Sequence, residues 1–200
     1  MLLGTQMIAK GLDFEDVTLV GVINADTMLK LPDYRASERT FDLVEQVAGR
    51  AGRAGEKGLV ILQTYEPDSP VIQLAARQDF RAFYERERVY RRRALYPPYS
   101  VILRIVAAAS EAEAALQAAE RARARMEAFI EREGYREDLI HMHAKEAPVA
   151  RLDGLFRCHV FIKLYARGHT EAIWAEAERL AREGAPGVRM EAELNPTNMM

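Results

Sequence analysis

The sequence predicts an α/β chain in two parts, a parallel-sheet unit over residues 1–66 and an α+β unit of β-α-β-β-α-β order over residues 99–200. Three observations predict it. Two short β-branched apolar runs, VTLVGVI and GLVILQT, flank one helical stretch near the N-terminus. Strand and helix patterns then alternate with short links from Val101 to Leu194. Among them, FRCHVFIKLYA alternates strictly between apolar and polar side chains.

Val17–Ile23 and Gly58–Thr64 are nearly continuous apolar runs, the pattern of strands covered on both faces. Between them, SERTFDLVEQVAGRAG opens with Ser37 as a candidate N-cap. Phe41, Leu43, Val44 and Val47 follow at helical spacing. Strand, helix and strand with short links make a piece of a parallel sheet. EPDSP, Glu66–Pro70, marks a boundary, and residues 67–98 form a connecting segment. The stretch from Val71 is expected to be one amphipathic helix running toward Pro97–Pro98. Between Arg77 and Ala94 it carries seven arginines against three acids. Such a stretch is either a solvated helix face or a surface that meets phosphates.

Beyond it, Val101–Ala107 reads as a strand and Ser110–Glu133 as a long helix with Ser110 as its cap. DLIHMHAKEAPVARL reads as a strand followed by a loop. In Phe156–Ala166, Cys158, Val160, Ile162 and Leu164 point one way, and Arg157, His159 and Lys163 the other. His169–Gly184 reads as a helix stopped by a glycine, and Val188–Leu194 as a last strand. That order is the split βαβ, or ferredoxin-like, arrangement.

Composition narrows the class. Of 200 residues, 49% are hydrophobic and 29% charged, a globular balance, and the net charge is −2. A nucleic-acid partner must therefore be met by local patches. No apolar run approaches the roughly 18 residues of a membrane span, so no membrane partner is expected. The opening MLLGTQMIAKG lacks the pattern of a secretion signal, and a cytoplasmic setting is expected. One cysteine, Cys158, excludes an internal disulfide and a cysteine-cluster metal site.

The chemistry concentrates in QVAGRAGRAGEKG, Gln46–Gly58, where Arg50 and Arg53 each follow a glycine. Gly49 and Gly52 let the backbone turn and approach another surface. Paired guanidiniums suit a phosphate chain, because each offers several donors in a planar fork and stays charged. Set across a cleft from a nucleoside triphosphate, such arginines stabilise charge growing on the γ-phosphate. The bland alternative is a helix end with arginines in solvent. Upstream, a strand leading into Gly4–Thr5 suggests a backbone loop able to hold a phosphate. Asp13 is an acceptor suited to ribose hydroxyls.

In this order, GTQMIAKGLDF and QVAGRAGRAG resemble motifs V and VI of the second RecA-like lobe of superfamily 2 helicases. With DVTLVGVINAD, LPDYRASERTF, RRRALYPPYS, APVARLDGLFRCHVFIKLY and the closing ELNPTNMM, the whole chain resembles the C-terminal portion of primosomal replication-restart DNA helicases. The resemblance implies an ATP-dependent 3′-5′ DNA helicase acting in primosome assembly at stalled forks. Residues 1–66 would be part of lobe 2. Thr5 matches the motif V threonine that contacts DNA phosphate. Gly11 and Asp13 match the part facing the nucleotide, with Asp13 near the sugar. Gln46, Arg50 and Arg53 match motif VI, with the arginines reaching the γ-phosphate between lobes.

Lys10, Arg35, Arg91, Arg92, Arg151 and Arg157 are candidate DNA contacts; Arg35 and Arg39 sit in a DYRASER loop that serves equally as a solvated loop. ATP and Mg²⁺ would be held by a first lobe, since neither GxxxxGK[ST] nor a DEAH-like quartet occurs here. Without that lobe the chain alone is expected to be inactive. Zinc belongs to the family, but its cysteine pairs are not in this chain. Implied partners are branched or single-stranded DNA, single-strand-binding protein and other primosome proteins, in a bacterial cytoplasm at the nucleoid. The alternative is a non-catalytic DNA- or partner-binding module of the same machinery. A helicase for RNA would share motif VI but not the other wording.

Several residues have plainer readings. Leu155 stands where the family is commonly basic, and Asp153 adds an acid, which weakens a charge grip at that turn. His141 and His143 would share a strand face as exposed histidines, and His159 is expected to face solvent or DNA. Cys158 and Trp174 are expected in the core. Tyr96, Pro97, Pro98 and Tyr99 either stack on a base or dock a linker.

Overall fold

A computed structural model describes residues 17–49, 51 and 58–199. The chain divides into two compact units, Met1–Tyr90 and Arg91–Met200.

In the first unit, β1 (Leu19–Val22) leads through a short helix α1 (Asp26–Leu29) to α2 (Ala36–Ala48). The chain then enters β2 (Leu59–Leu62), which pairs with β1 in parallel, Leu19 opposite Leu59. This is the predicted strand–helix–strand crossover. The strands are not covered on both faces, however. Leu19, Leu59 and Ile61 are 58%, 57% and 53% exposed, and β1 and β2 are the only strands of their sheet among the described residues.

Ser37 does not cap α2. Asp33 accepts a hydrogen bond from the Arg35 amide at 2.9 Å, and its carbonyl accepts from the Ala36 amide at 3.0 Å. That turn starts the helix at Ala36 and leaves Ser37 inside it. Phe41, Val44 and Val47 are buried as their spacing requires.

The expected single basic helix is two helices, α3 (Pro70–Ala76) and α4 (Phe80–Arg93). Gln78 adopts a left-handed φ of 55° and breaks the run. Asp79 restarts it by accepting from the Ala82 amide at 3.0 Å, an N-cap contact. The core of this unit is Phe41, Val44, Val71, Ala75 and Phe83, with the rings of Phe41 and Phe83 stacked at 4.3 Å.

The second unit follows β3 (Ser100–Ala109), α5 (Ala112–Arg132), β4 (Leu139–Leu152), β5 (Leu155–Tyr165), α6 (Thr170–Glu183) and β6 (Val188–Leu194). Its antiparallel sheet runs β4-β5-β3-β6, the order a split βαβ requires. Ser110 is not the cap of α5, since Glu111 occupies that position with no side-chain bond.

β4 is one 14-residue strand rather than a strand and a loop. Its register shifts between Glu146 and Arg151, and Pro148 is tolerated there because β4 lies at the sheet edge. Asp153 (φ 51°) and Gly154 (φ 82°) join β4 to β5 in a tight hairpin, the conformation an Asp-Gly pair favours. Gly184 stops α6 with φ 62°, as expected.

One face of the sheet packs on both helices. Leu103, Ile105, Val160, Ile162 and Leu164 meet a small-residue face of α5 (Ala115, Ala118, Ala119, Ala122) with Met126 and Ile130, and Ile173, Ala177 and Leu180 of α6. Each large aliphatic side chain removed from water there contributes roughly 1.5–3 kcal/mol. Cys158 belongs to this core, where burial raises its thiol pKa, and Trp174 packs against it.

Candidate nucleotide and nucleic-acid interface

A parallel sheet presents ligands at the carboxyl ends of its strands. At that end of β1 and β2, Asp26 is buried. Its carboxylate accepts from the Thr64 hydroxyl at 2.7 Å and the Tyr65 amide at 2.8 Å. These bonds hold its carboxyl below the usual carboxylate range and tie the two strand ends together. The Asp26–Thr64 link escaped sequence reading, because its members are 38 residues apart.

Gln46 sits exposed in the last turn of α2, in the crossover that leads to β2. Thr5, Lys10, Gly11, Asp13, Arg50 and Arg53 lie outside the described residues. The DYRASER arginines are used locally. The Arg35 guanidinium lies over the Tyr34 ring at 5.2 Å, and Arg39 pairs with the buried Asp33 at 3.1 Å.

Around α4 the arginines separate into distinct roles. Arg91 donates to the Pro97 carbonyl at 3.3 Å, and Arg92 is exposed. Lys163 reaches from β5 to the Ala94 carbonyl at 2.7 Å, with its ammonium 4.1 Å from the Tyr96 ring centre. Burial lowers its pKa. The Tyr96–Tyr99 segment, which contains a cis Pro97–Pro98 bond, is thus docked on its own unit rather than free to stack.

On the sheet face away from the helices, β4 and β5 place His143 opposite Phe161 and Lys145 opposite His159. His141 Nε2 and His143 Nδ1 are 2.9 Å apart, and the His143 ring lies 5.3 Å from Phe161 and 5.9 Å from His159. His159 does not face solvent. It is 3% exposed, and neither of its ring nitrogens has a hydrogen-bond partner among the described residues. Burial, then the nearby His143, Arg104, Lys145 and Arg157, push its pKa down to about 4. It is a neutral interior group, not a contact for DNA. Arg104, on the same face, is buried and bonded to Glu193. The arginine inside the apolar run VILRIVA was its only sequence signal.

Arg151 stands at the hairpin end, its guanidinium 5.0 Å from the Phe156 ring, while Arg157 is half-buried on β5. Arg35 belongs to the first unit, and Arg91, Arg92, Arg151 and Arg157 belong to the second. Among the described residues no group of three or more His, Cys, Asp or Glu could hold a metal ion. No helix among them is long and apolar enough to cross a membrane.

No protein-family model matches the sequence. The replication restart protein PriA of Bacillus subtilis (strain 168) is 39% identical over 202 residues, taking in 100% of this chain. The chain belongs to the PriA family. It spans 24% of the Bacillus PriA and corresponds to a C-terminal portion of such a protein. PriA of Borreliella burgdorferi is 33% identical over 160 residues, 80% of this chain and 24% of that PriA. PriA of Treponema pallidum is 49% identical over 106 residues, 53% of this chain and 16% of that PriA.

Proposed function

We propose that this chain works as part of an ATP-dependent 3′-5′ superfamily 2 DNA helicase in replication restart, assembling the primosome at stalled forks in the bacterial cytoplasm. The observation that carries the reading is the match to a replication restart protein along the entire chain. The parallel β1–α2–β2 crossover supports it, because Gln46 lies in the turn that leads to Arg50 and Arg53.

In this reading Arg50 and Arg53 bring guanidiniums to a γ-phosphate held by another segment, and Gln46 positions them. Gly11 and Asp13 border the nucleotide, and Thr5 and Lys10 hold DNA phosphate. ATP with Mg²⁺ supplies the cleavable phosphoanhydride. Branched or single-stranded DNA, single-strand-binding protein and other primosome proteins are the partners. A separate core in the second unit supports the alternative of a binding module that contributes grip without turnover.

The test is DNA-stimulated ATP hydrolysis in a helicase that carries this chain. Arg50→Ala or Arg53→Ala should lower turnover by about 10³-fold or more while leaving DNA affinity within a few fold. Hydrolysis by the 200-residue chain alone would refute this division of roles.

A further inference from the structure

Of the chain's four histidines, His141, His143 and His159 stand together on the sheet of the second unit. His141 and His143 are two residues apart on β4, so both side chains leave the same face of the strand. Register places them opposite Lys163 and Phe161 of β5. Their rings meet, with His141 Nε2 2.9 Å from His143 Nδ1 and the ring centres 5.0 Å apart. The His143 ring stacks on Phe161 at 5.3 Å and meets the buried His159 edge-on at 5.9 Å, so packing fixes its orientation.

That 2.9 Å separation is a hydrogen bond shared by two imidazoles, and it also suits chelation. With metal–nitrogen bonds of about 2.0–2.1 Å, two nitrogens so spaced subtend about 90° at a metal. This is the cis angle of a square-planar or octahedral ion. A tetrahedral ion would need its nitrogens about 3.3 Å apart at the same bond length. Tetragonal sites with nitrogen and oxygen ligands select Cu²⁺ or Ni²⁺.

Imidazole ligates in its neutral form, and burial, then the charges of Lys145 and His141, lower the pKa of His143. His141 is exposed, so the proton displaced from between the rings can move to its other nitrogen. Two cations stand near. Lys163 gives its ammonium to the Ala94 carbonyl at 2.7 Å, and Lys145 is exposed, where salt screens it.

We infer that His141 and His143 form a bidentate site for a divalent late transition ion, Cu²⁺ or Ni²⁺, completed by water. β4 is an outermost strand, so the ion sits at the sheet edge and its other positions face solvent. The site uses no cysteine and no carboxylate. Among the described residues no group of three or more His, Cys, Asp or Glu could hold a metal, and this site asks for two protein ligands. It stands independently of the helicase reading.

The test is titration of this chain with Cu²⁺ and with Ni²⁺ by isothermal calorimetry near neutral pH, with electron spin resonance of the Cu²⁺ form. One ion should bind per chain, and the Cu²⁺ spectrum should show two coupled nitrogens. His141→Gln and His143→Gln should each weaken binding by about 10-fold or more, at least the cost of losing a partner that supports a metal ligand. His141 is exposed, so His141→Gln decides the question even if His143→Gln fails to fold. His169→Gln, which removes a histidine 53% exposed and outside the cluster, should leave the affinity unchanged. No saturable binding, a single coupled nitrogen, an affinity unchanged by His141→Gln, or equal losses with His141→Gln and His169→Gln overturns the inference. The proposed function stands or falls by ATP hydrolysis, whichever of these results is found.

Discussion

Arg104 Nε on β3 donates to Glu193 Oε2 on β6 at 2.8 Å, across a registered pair of the antiparallel sheet. The arginine side chain is 5% exposed and the glutamate 42%. Removing the acid leaves a buried cation without this acceptor. Glu193→Ala should cost about 1–3 kcal/mol in urea denaturation, below the range for fully buried pairs because Glu193 is partly in water. Replacing both partners, Arg104→Met with Glu193→Gln, should cost less than Glu193→Ala alone.

His159 makes stability depend on pH in one direction. Its ordinary pKa is 6.5, and in the folded chain it is about 4. Between those values the unfolded chain binds the proton and the folded one does not, so stability is full above pH 6.5 and falls as pH drops toward 4. The loss from this residue is at most about 3 kcal/mol. His159→Phe should flatten the stability curve over that window. Histidine proton resonances should show one ring titrating near pH 4; titration near the ordinary value would contradict the buried environment.

The first unit's small core rests on few large side chains, of which Phe41 and Phe83 stack at 4.3 Å. Phe83→Ala should cost about 3–5 kcal/mol, while Phe83→Leu should keep most of that stability. Chemical denaturation followed by far-UV circular dichroism measures both.

Gly154 holds φ at 82° in the hairpin between β4 and β5, with no atom within 4 Å of an added Cβ. The strain of a side chain there is therefore conformational and not a clash. Gly154→Ala should cost about 1–2 kcal/mol, and Asp153→Gly should change stability little. Thermal melts of the two variants give the comparison.

The sequence carries the element order well because periodicity is local. The alternation in β5 and the spacing of Phe41, Val44 and Val47 need no tertiary information. Helix starts were harder to read. Ser37 and Ser110 have the right chemistry, yet Asp33 makes the turn into α2, and Glu111 stands at the start of α5 with no side-chain bond, while Asp79 opens α4. The Asp153–Gly154 pair was a readable hairpin signal. Alternation showed that His159 and Cys158 face opposite ways, but it cannot show what covers a face, and so the burial of His159 was invisible. In the candidate site, Gln46 falls in the helix its spacing implied, whereas the Arg91–Pro97 and Lys163–Ala94 contacts join distant or irregular segments that no local pattern encodes.

The left-handed residue at Gln78 has a consequence for how the arginine row is aimed. A continuous helix from Pro70 would lock the azimuth of every guanidinium to the apolar side chains of Val71 and Ala75. The interruption resets that phase, so Phe83 in the core and Phe80 against the Phe41 ring set the second segment's rotation. Changing the turn by a single residue would swing the whole cationic row around its axis without altering one arginine.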